Sequence, residues 1–427
     1  MDRSASTKKS TTSNRYCSVP LIIGLTLVLQ LCWTSISGIR PYSSGFIATS
    51  VVVLPGDGGP TKTNTTIRFQ FPTKEERLEY YMGSWYNISN IDNTTSLLWK
   101  DSFCRRIPFF NSSIHRKGGS DKAYIFDKHN LKEYGFDHYK VDIQRYLFSH
   151  STARNTSLRL ALSVGDQHPS LEFPVLMKSR ELLGIRNQTV NQNNRIPILV
   201  LMNEARHFAN LRKLAAATER QAKRKWHLPF AKKKWPFEIY DPPFETKRNE
   251  IVFRGSNTGV GNIVTRKSLI AQFQQRFNLT SNTTVATQKS GIIMDLALYP
   301  KRPMQELLQS KYLLSLEGND VASGLKWMLY SQSIVLKPPA THVSWAMEDR
   351  LVPYFHYVPV KPDLSDLEDQ LEWAHSHPDE CREILRHSTA FMEHLDVSVQ
   401  AKRDTKWIHH QIVQRYDEQF GQIVAKC

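Results

Sequence analysis

The sequence predicts an α/β protein with parallel sheets, in two domains, preceded by a membrane anchor. Three observations predict it. Short apolar runs of strand length alternate with amphipathic helical stretches. The chain has 427 residues, beyond the roughly 250–300 at which a single core stops growing. An uncharged apolar segment stands behind a basic leader at the amino end.

That segment runs from Val19 to Ile36. Its length of about 18 residues is near the lower limit for a helix that crosses a bilayer. Arg3, Lys8, Lys9 and Arg15 precede it, which predicts a cytosolic amino terminus. No small-residue cleavage site follows, so an uncleaved signal anchor is expected, with a cleaved signal peptide as the rival. Both readings send the rest of the chain into the lumen. Eight N-x-[ST] sequons point the same way: Asn64, Asn87, Asn93, Asn111, Asn155, Asn187, Asn278 and Asn282. The chain ends Ala425-Lys426-Cys427 rather than in a KDEL-like signal, which favours a Golgi over an ER membrane, as a single-pass type II protein.

The formal charge is +16. Such a surplus suits nucleic acid, acidic lipid or phosphorylated substrates, and a luminal fate argues against nucleic acid. Five cysteines form no zinc pattern and no CxxC. Cys17 and Cys32 flank or lie within the apolar segment, which leaves one disulfide open among Cys104, Cys381 and Cys427.

Residues Arg40 to about Thr66 are rich in Ser, Gly, Pro and Thr and read as a flexible stem. Buried strands are expected at Leu158–Val164, Ile196–Met202, Glu250–Phe253, Tyr312–Leu316, Ser333–Leu336 and Phe355–Val360. Helices are expected at Phe208–Lys225, Arg266–Phe277, Ala322–Tyr330, Leu364–His375 and Pro378–Leu395. The basic stretch Arg212–Lys234 reads as a solvated helix face and a connecting loop, with an acidic lipid or acceptor as the sharper alternative. Ligands of parallel sheets bind at the carboxyl ends of the strands, and three loops there carry chemistry.

The first is Ser163-Val164-Gly165-Asp166-Gln167-His168-Pro169, where a carboxylate follows a buried strand. Such an Asp can take the proton from an attacking hydroxyl; a turn residue that caps the next segment fits the spacing equally well. The second is Phe253-Arg254-Gly255-Ser256-Asn257-Thr258-Gly259, followed by Arg266. A strand that runs through a glycine turn into a helix offers N–H groups and arginines to a phosphate, although a glycine turn alone is a weak signal. The third is Glu317-Gly318-Asn319-Asp320, with a helix expected from about Val321. Asp320 suits the N-cap, and Lys326 falls within reach of a diphosphate at the helix amino end. The chain contains no Asp-x-Asp pair, so leaving-group charge is expected to fall to Arg, Lys and helix dipoles rather than to a metal.

These segments, in this order, resemble glycosyltransferase family 90, the capsule-associated-protein-like group. Its relatives include protein O-glucosyl- and O-xylosyltransferases and bacterial lipopolysaccharide-modifying enzymes. The FRGS turn at Phe253–Ser256 and the stretch from Lys311 (KYLLSLEGNDVASGLKWMLY) carry the likeness, which extends over roughly Tyr80 to Leu395 and is most similar to the microbial and algal branch. The resemblance implies a GT-B architecture, two Rossmann-like domains that face across a cleft. It implies inverting, metal-free transfer from a UDP-sugar, glucose or xylose, to a hydroxyl of a glycoprotein or glycan, with no cofactor. Asp166 in its Asp-x-x-Pro turn is then the base. Arg254, Gly255, Ser256, Thr258, Arg266, Gly318, Asn319 and Asp320 then hold the donor. Where animal members carry an arginine this chain has Gly324, and Lys326 is expected to supply the phosphate charge; Glu348 is placed near the donor ribose or sugar. The implied organisation is a cytosolic tail (1–18), an anchor (19–36), a stem (37–70), an acceptor-side domain (71–235) and a donor-binding domain with closing helices (236–427). The alternative is a catalytically silent luminal glycan-binding protein of the same fold.

Overall fold

The structure is a computed structural model. It describes residues 52–56, 59–63, 69–87, 103–110, 123–133, 137–149, 158–164, 173–182, 197–202, 208–224, 239–259, 265–277, 285–287 and 291–425. All belong to one compact unit, Ile47–Cys427. The anchor segment Val19–Ile36 lies outside the described residues. Among these, no helix is long and apolar enough to cross a membrane.

Two strands open the described chain, β1 (Val52–Gly56) and β2 (Gly59–Thr63), paired antiparallel. Both lie within the stretch read as a stem. Their register runs from Val52 opposite Thr63 to Gly56 opposite Gly59.

Helix α1 (Lys74–Met82) starts at a capping box: Glu76 N donates to Thr73 Oγ1 and Thr73 N donates to the Glu76 carboxylate. Next come β3 (Ala123–Phe126), α2 (Asp137–Asp142), β4 (Leu160–Ser163), β5 (Leu176–Met177), β6 (Ser179–Glu181), β7 (Ile198–Leu199) and α3 (Ala209–Arg224). Strands β3, β4, β5 and β7 form a sheet in that order, parallel except for β3. Burial on both faces explains why Leu160–Ser163 reads as a continuous apolar run.

The second half holds β8 (Arg248–Arg254), α4 (Arg266–Arg276), β9 (Val285–Thr287), β10 (Ile293–Ala297), α5 (Met304–Leu307), β11 (Ser310–Leu314), α6 (Leu325–Tyr330), β12 (Ile334–Lys337), β13 (His342–Ser344), β14 (Val358–Pro359), α7 (Leu367–Ser376), α8 (Pro378–Met392) and α9 (Val399–Ala425). Its six-stranded sheet has the order β14-β12-β11-β8-β10-β9. Every neighbour pair is parallel except β10 with β9. One face of the sheet packs Ile251, Phe253, Leu314 and Leu336 under α4 and α7. The other face sends Val252, Leu313 and Val335 into a core shared with the first half.

Two further connections join the halves. Strand β13 pairs antiparallel with β6, and α9 returns to the four-stranded sheet. On α9, Tyr416 donates its hydroxyl to Pro174 O and accepts from Ala161 N, and the Phe420 ring meets Trp85 edge-on. Cys104 is disulfide-bonded while Cys381 is a buried free thiol. The partner of Cys104 is therefore Cys17, Cys32 or Cys427, all outside the described residues.

Candidate active site

Parallel strands carry their carboxyl ends to one edge, so β8, β10, β11 and β12 deliver the loops after Arg254, Ala297, Leu314 and Lys337 to the same place. Arg266, at the start of α4, ties two of these loops together. Its guanidinium donates to Thr258 Oγ1 at 2.9 Å and to Leu316 O at 2.5 Å. Beside it, Gly259 N donates to Asn319 Oδ1 at 2.8 Å.

Glycine is required at this junction for close approach. A Cβ on Gly318 would lie 2.5 Å from Thr258 Oγ1 and 3.4 Å from Arg266 Cζ, and one on Gly255 would lie 2.8 Å from Phe253 Cζ. Gly255, Ser256, Thr258, Arg266, Gly318 and Asn319, expected as donor ligands, are thus assembled in one polar corner.

Arg254 stands differently. It grips the buried Asp295 of β10 with two hydrogen bonds of 2.7 and 2.8 Å, and Arg302 reaches the same carboxylate at 2.6 Å. Asp295 was not among the residues expected at the site. The available signal was a single carboxylate inside the apolar run Ile292–Ala297.

Two expectations require correction. The helix after the Glu317–Asp320 loop begins at Leu325, with Gly324 at its N-cap and no side-chain cap, so Asp320 caps nothing. Its carboxylate is engaged by first-half residues: Lys178 Nζ lies at 2.9 Å and Ser179 Oγ at 2.8 Å. Lys326 does not face an open phosphate position. It is fully buried and bonded at 2.6 Å to Glu348. Glu348 also accepts from Ser344 N and Ser344 Oγ, both at 2.7 Å. Burial would raise the Glu348 carboxyl, but the Lys326 ammonium and the Ser344 donors outweigh it and hold the group below its ordinary value. Lys326 and Glu348, expected as separate donor ligands, are brought together as partners.

Aromatic stacking fixes the loop that carries Glu348. Trp345 lies flat between Tyr81 of α1, at 4.0 Å, and His409 of α9, at 4.2 Å. Tyr146 stacks on the far side of His409 at 4.9 Å. Tyr81 donates its hydroxyl to Trp345 O. His409 is satisfied at both nitrogens, since Nδ1 bonds Thr405 O and Nε2 accepts from Leu201 N.

Asp166 lies outside the described residues; the strand before it, β4, belongs to the parallel part of its sheet. Of the sequons, Asn87 alone falls within the described residues, where it is exposed; Asn64, Asn93, Asn111, Asn155, Asn187, Asn278 and Asn282 fall outside them. A cavity of about 200 Å³ is lined by Leu269, Phe273, Arg276, Met294, Leu364 and Glu368 among others. No residue of the three motifs lines it, so the chemistry is assigned to the sheet edge.

Residues 231–416, which contain this corner, match the profile of glycosyl transferase family 90. The resemblance carried by the second and third motifs therefore holds over this stretch. Among similar proteins is the O-glucosyltransferase LpsA of Dichelobacter nodosus, 26% identical over 234 residues, 55% of this chain and 60% of that protein. The uncharacterized protein 035R of Invertebrate iridescent virus 3 is 32% identical over 164 residues, 34% of this chain and 15% of that protein. Protein O-glucosyltransferase 2 of Danio rerio is 30% identical over 79 residues, 18% of this chain and 16% of that protein. The class that the family and its named relatives define is that of the glycosyltransferases. The aligned region spans 60% of the length of the bacterial relative and smaller shares of the other two.

Proposed function

We propose that the protein is an inverting, metal-independent glycosyltransferase that moves glucose or xylose from a UDP-sugar to a hydroxyl of a glycan or glycoprotein. The observation that carries this reading is the corner at the sheet edge. Arg266 joins the FRGS turn to the Glu317–Asp320 loop, and glycines 255 and 318 let the two segments pack closely against Phe253 and Thr258. Backbone N–H groups and guanidinium donors are suited to a leaving diphosphate. Asp166 is the proposed base. It removes the proton of the acceptor hydroxyl while the oxygen attacks the anomeric carbon and the nucleotide departs from the opposite face.

The proposed organisation is an acceptor-side domain over 71–235 and a donor-binding domain from 236 onward, across a GT-B cleft. The proposed location is the secretory pathway, in a Golgi or ER membrane, through the segment Val19–Ile36. Supporting this are the sequons, the exposure of Asn87 and the disulfide at Cys104, a bond characteristic of oxidising compartments.

The test is a panel of UDP-sugars, with nucleotide release measured in the presence of EDTA. Release from UDP-glucose or UDP-xylose supports the reading, and strict dependence on Mn²⁺ removes the metal-free mechanism. Tight UDP binding without turnover of any donor points to the silent glycan-binding alternative.

A further inference from the structure

The buried lysines Lys178, Lys247 and Lys326 each sit on a carboxylate, Asp320, Asp241 and Glu348 respectively. Lys337 does not. It closes β12 at the carboxyl edge of the six-stranded sheet and is only 4% exposed. Its Nζ lies 4.3 Å from the centre of the Tyr357 ring and has no hydrogen-bond partner. Glu317 and Glu348 act on it through space, but each is already engaged, Glu317 by Thr341 and His342, Glu348 by Lys326 and Ser344.

A second orphan stands beside it. Leu314 pairs with Leu336, and Ser315 N donates to Leu336 O at 2.9 Å. Continuing that register places Ser315 and Lys337 side by side on the next rung, on one face of the sheet. The Ser315 hydroxyl is buried and also lacks a partner. An unpaired ammonium and an unpaired hydroxyl in protein interior are costly unless something accepts from both. Burial also pulls the Lys337 ammonium down to about 8, as expected of a cation whose counter-charge is missing.

We propose that Lys337 and Ser315 together bind an oxygen of the donor's diphosphate, at a position behind the Glu317–Asp320 loop. This rests on the nucleotide-sugar reading above. It gives the site a cation that Lys326 and Arg254 do not offer, because Glu348 and Asp295 occupy both. The acceptor is an anion because a neutral oxygen would leave the ammonium charge unmet.

The test uses the full-length chain, with UDP and inorganic diphosphate as probes in isothermal titration, together with thermal melting in the absence of ligand. Lys337→Met keeps an unbranched stem of similar length and removes the charge over Tyr357. It is expected to weaken UDP and diphosphate binding about tenfold or more, the loss typical of a hydrogen bond to a charged group. Its ligand-free melting temperature is expected to hold or rise, because a buried unpaired charge is gone; a merely structural lysine gives the opposite sign. Ser315→Ala, which removes one oxygen atom, is expected to weaken both probes by about threefold or more. UDP affinity within twofold of wild type in both variants overturns the proposal and leaves a buried water as the acceptor. Wild-type protein that binds neither probe overturns the donor reading itself, and this site with it.

Discussion

Lys326 and Glu348 are closed upon each other at 2.6 Å, their side chains 0% and 2% exposed. A pair buried this deeply is committed to structure, because removal of one member strands the other charge in low dielectric. Lys326→Ala is therefore expected to lower stability by about 3–5 kcal/mol, measured by urea denaturation. A joint Lys326→Met, Glu348→Leu replacement is expected to recover most of it. Stability unchanged in Lys326→Ala means the pair is not formed in solution.

Asp166→Asn is expected to reduce sugar transfer by about 10²–10⁴-fold, the range of a positioned general base, while UDP affinity stays within twofold. Turnover by UDP release and binding by titration separate the two. Full activity in this variant removes Asp166 from the mechanism.

Gly318→Ala would press a methyl group against Thr258 Oγ1 and loosen Thr258 from Arg266. The expected cost is about 1–3 kcal/mol with weaker UDP binding. Adding Thr258→Ala removes the clashing oxygen, so the double variant is expected to regain stability. No rescue would place the strain elsewhere.

Two buried histidines contribute to the pH response. Burial lowers His356 to about 3 and His387 to about 4. His356 Nδ1 accepts from Val352 N, so a proton there has no room beside the amide. The unfolded chain protonates both near pH 6.5 and binds more protons than the native state below that value. Stability is then full above about pH 7 and falls as pH drops from about 6.5 toward 4, by at most about 1.4 kcal/mol per unit for each histidine. His387→Phe keeps the stack on Phe355 and removes one titration. Burial lowers His394 in the same direction, so denaturation at several pH values should show the slope reduced but not abolished.

The disulfide at Cys104 predicts that reduction lowers the melting temperature, with a stability loss of about 2–4 kcal/mol. Cys381→Ser should leave the effect of reductant unchanged, since that thiol is free. Non-reducing peptide mapping then identifies the partner of Cys104.

The parallel strands were legible because burial on both faces writes apolar runs, as at Leu313–Leu316 and Ile334–Leu336. The FRGS turn and the Gly318 loop were legible because close backbone approach requires glycine. Their neighbours were not. Whether Lys326 meets a phosphate or Glu348 depends on the path of the Trp345 loop, and no local pattern encodes that path. Asp320 has the composition of an N-cap, yet Lys178 from the other half takes its carboxylate. The long α9 was missed because its buried face is built from His409, Tyr416 and Thr405 as well as aliphatic residues, which blurs the periodic signal. The short pairing of β6 with β13 joins segments far apart in sequence and leaves little local trace.

The ring column Tyr81–Trp345–His409–Tyr146 has a consequence for how the chain becomes competent. Its members come from opposite ends of the polypeptide, and the loop bearing Glu348 takes its shape from them. During synthesis the six-stranded sheet can form before α9 has left the ribosome, but Trp345 then has only one of its two flanking rings. Competence is thereby deferred until α9 emerges, so a chain truncated before His409 would be released with its central loop unmoored.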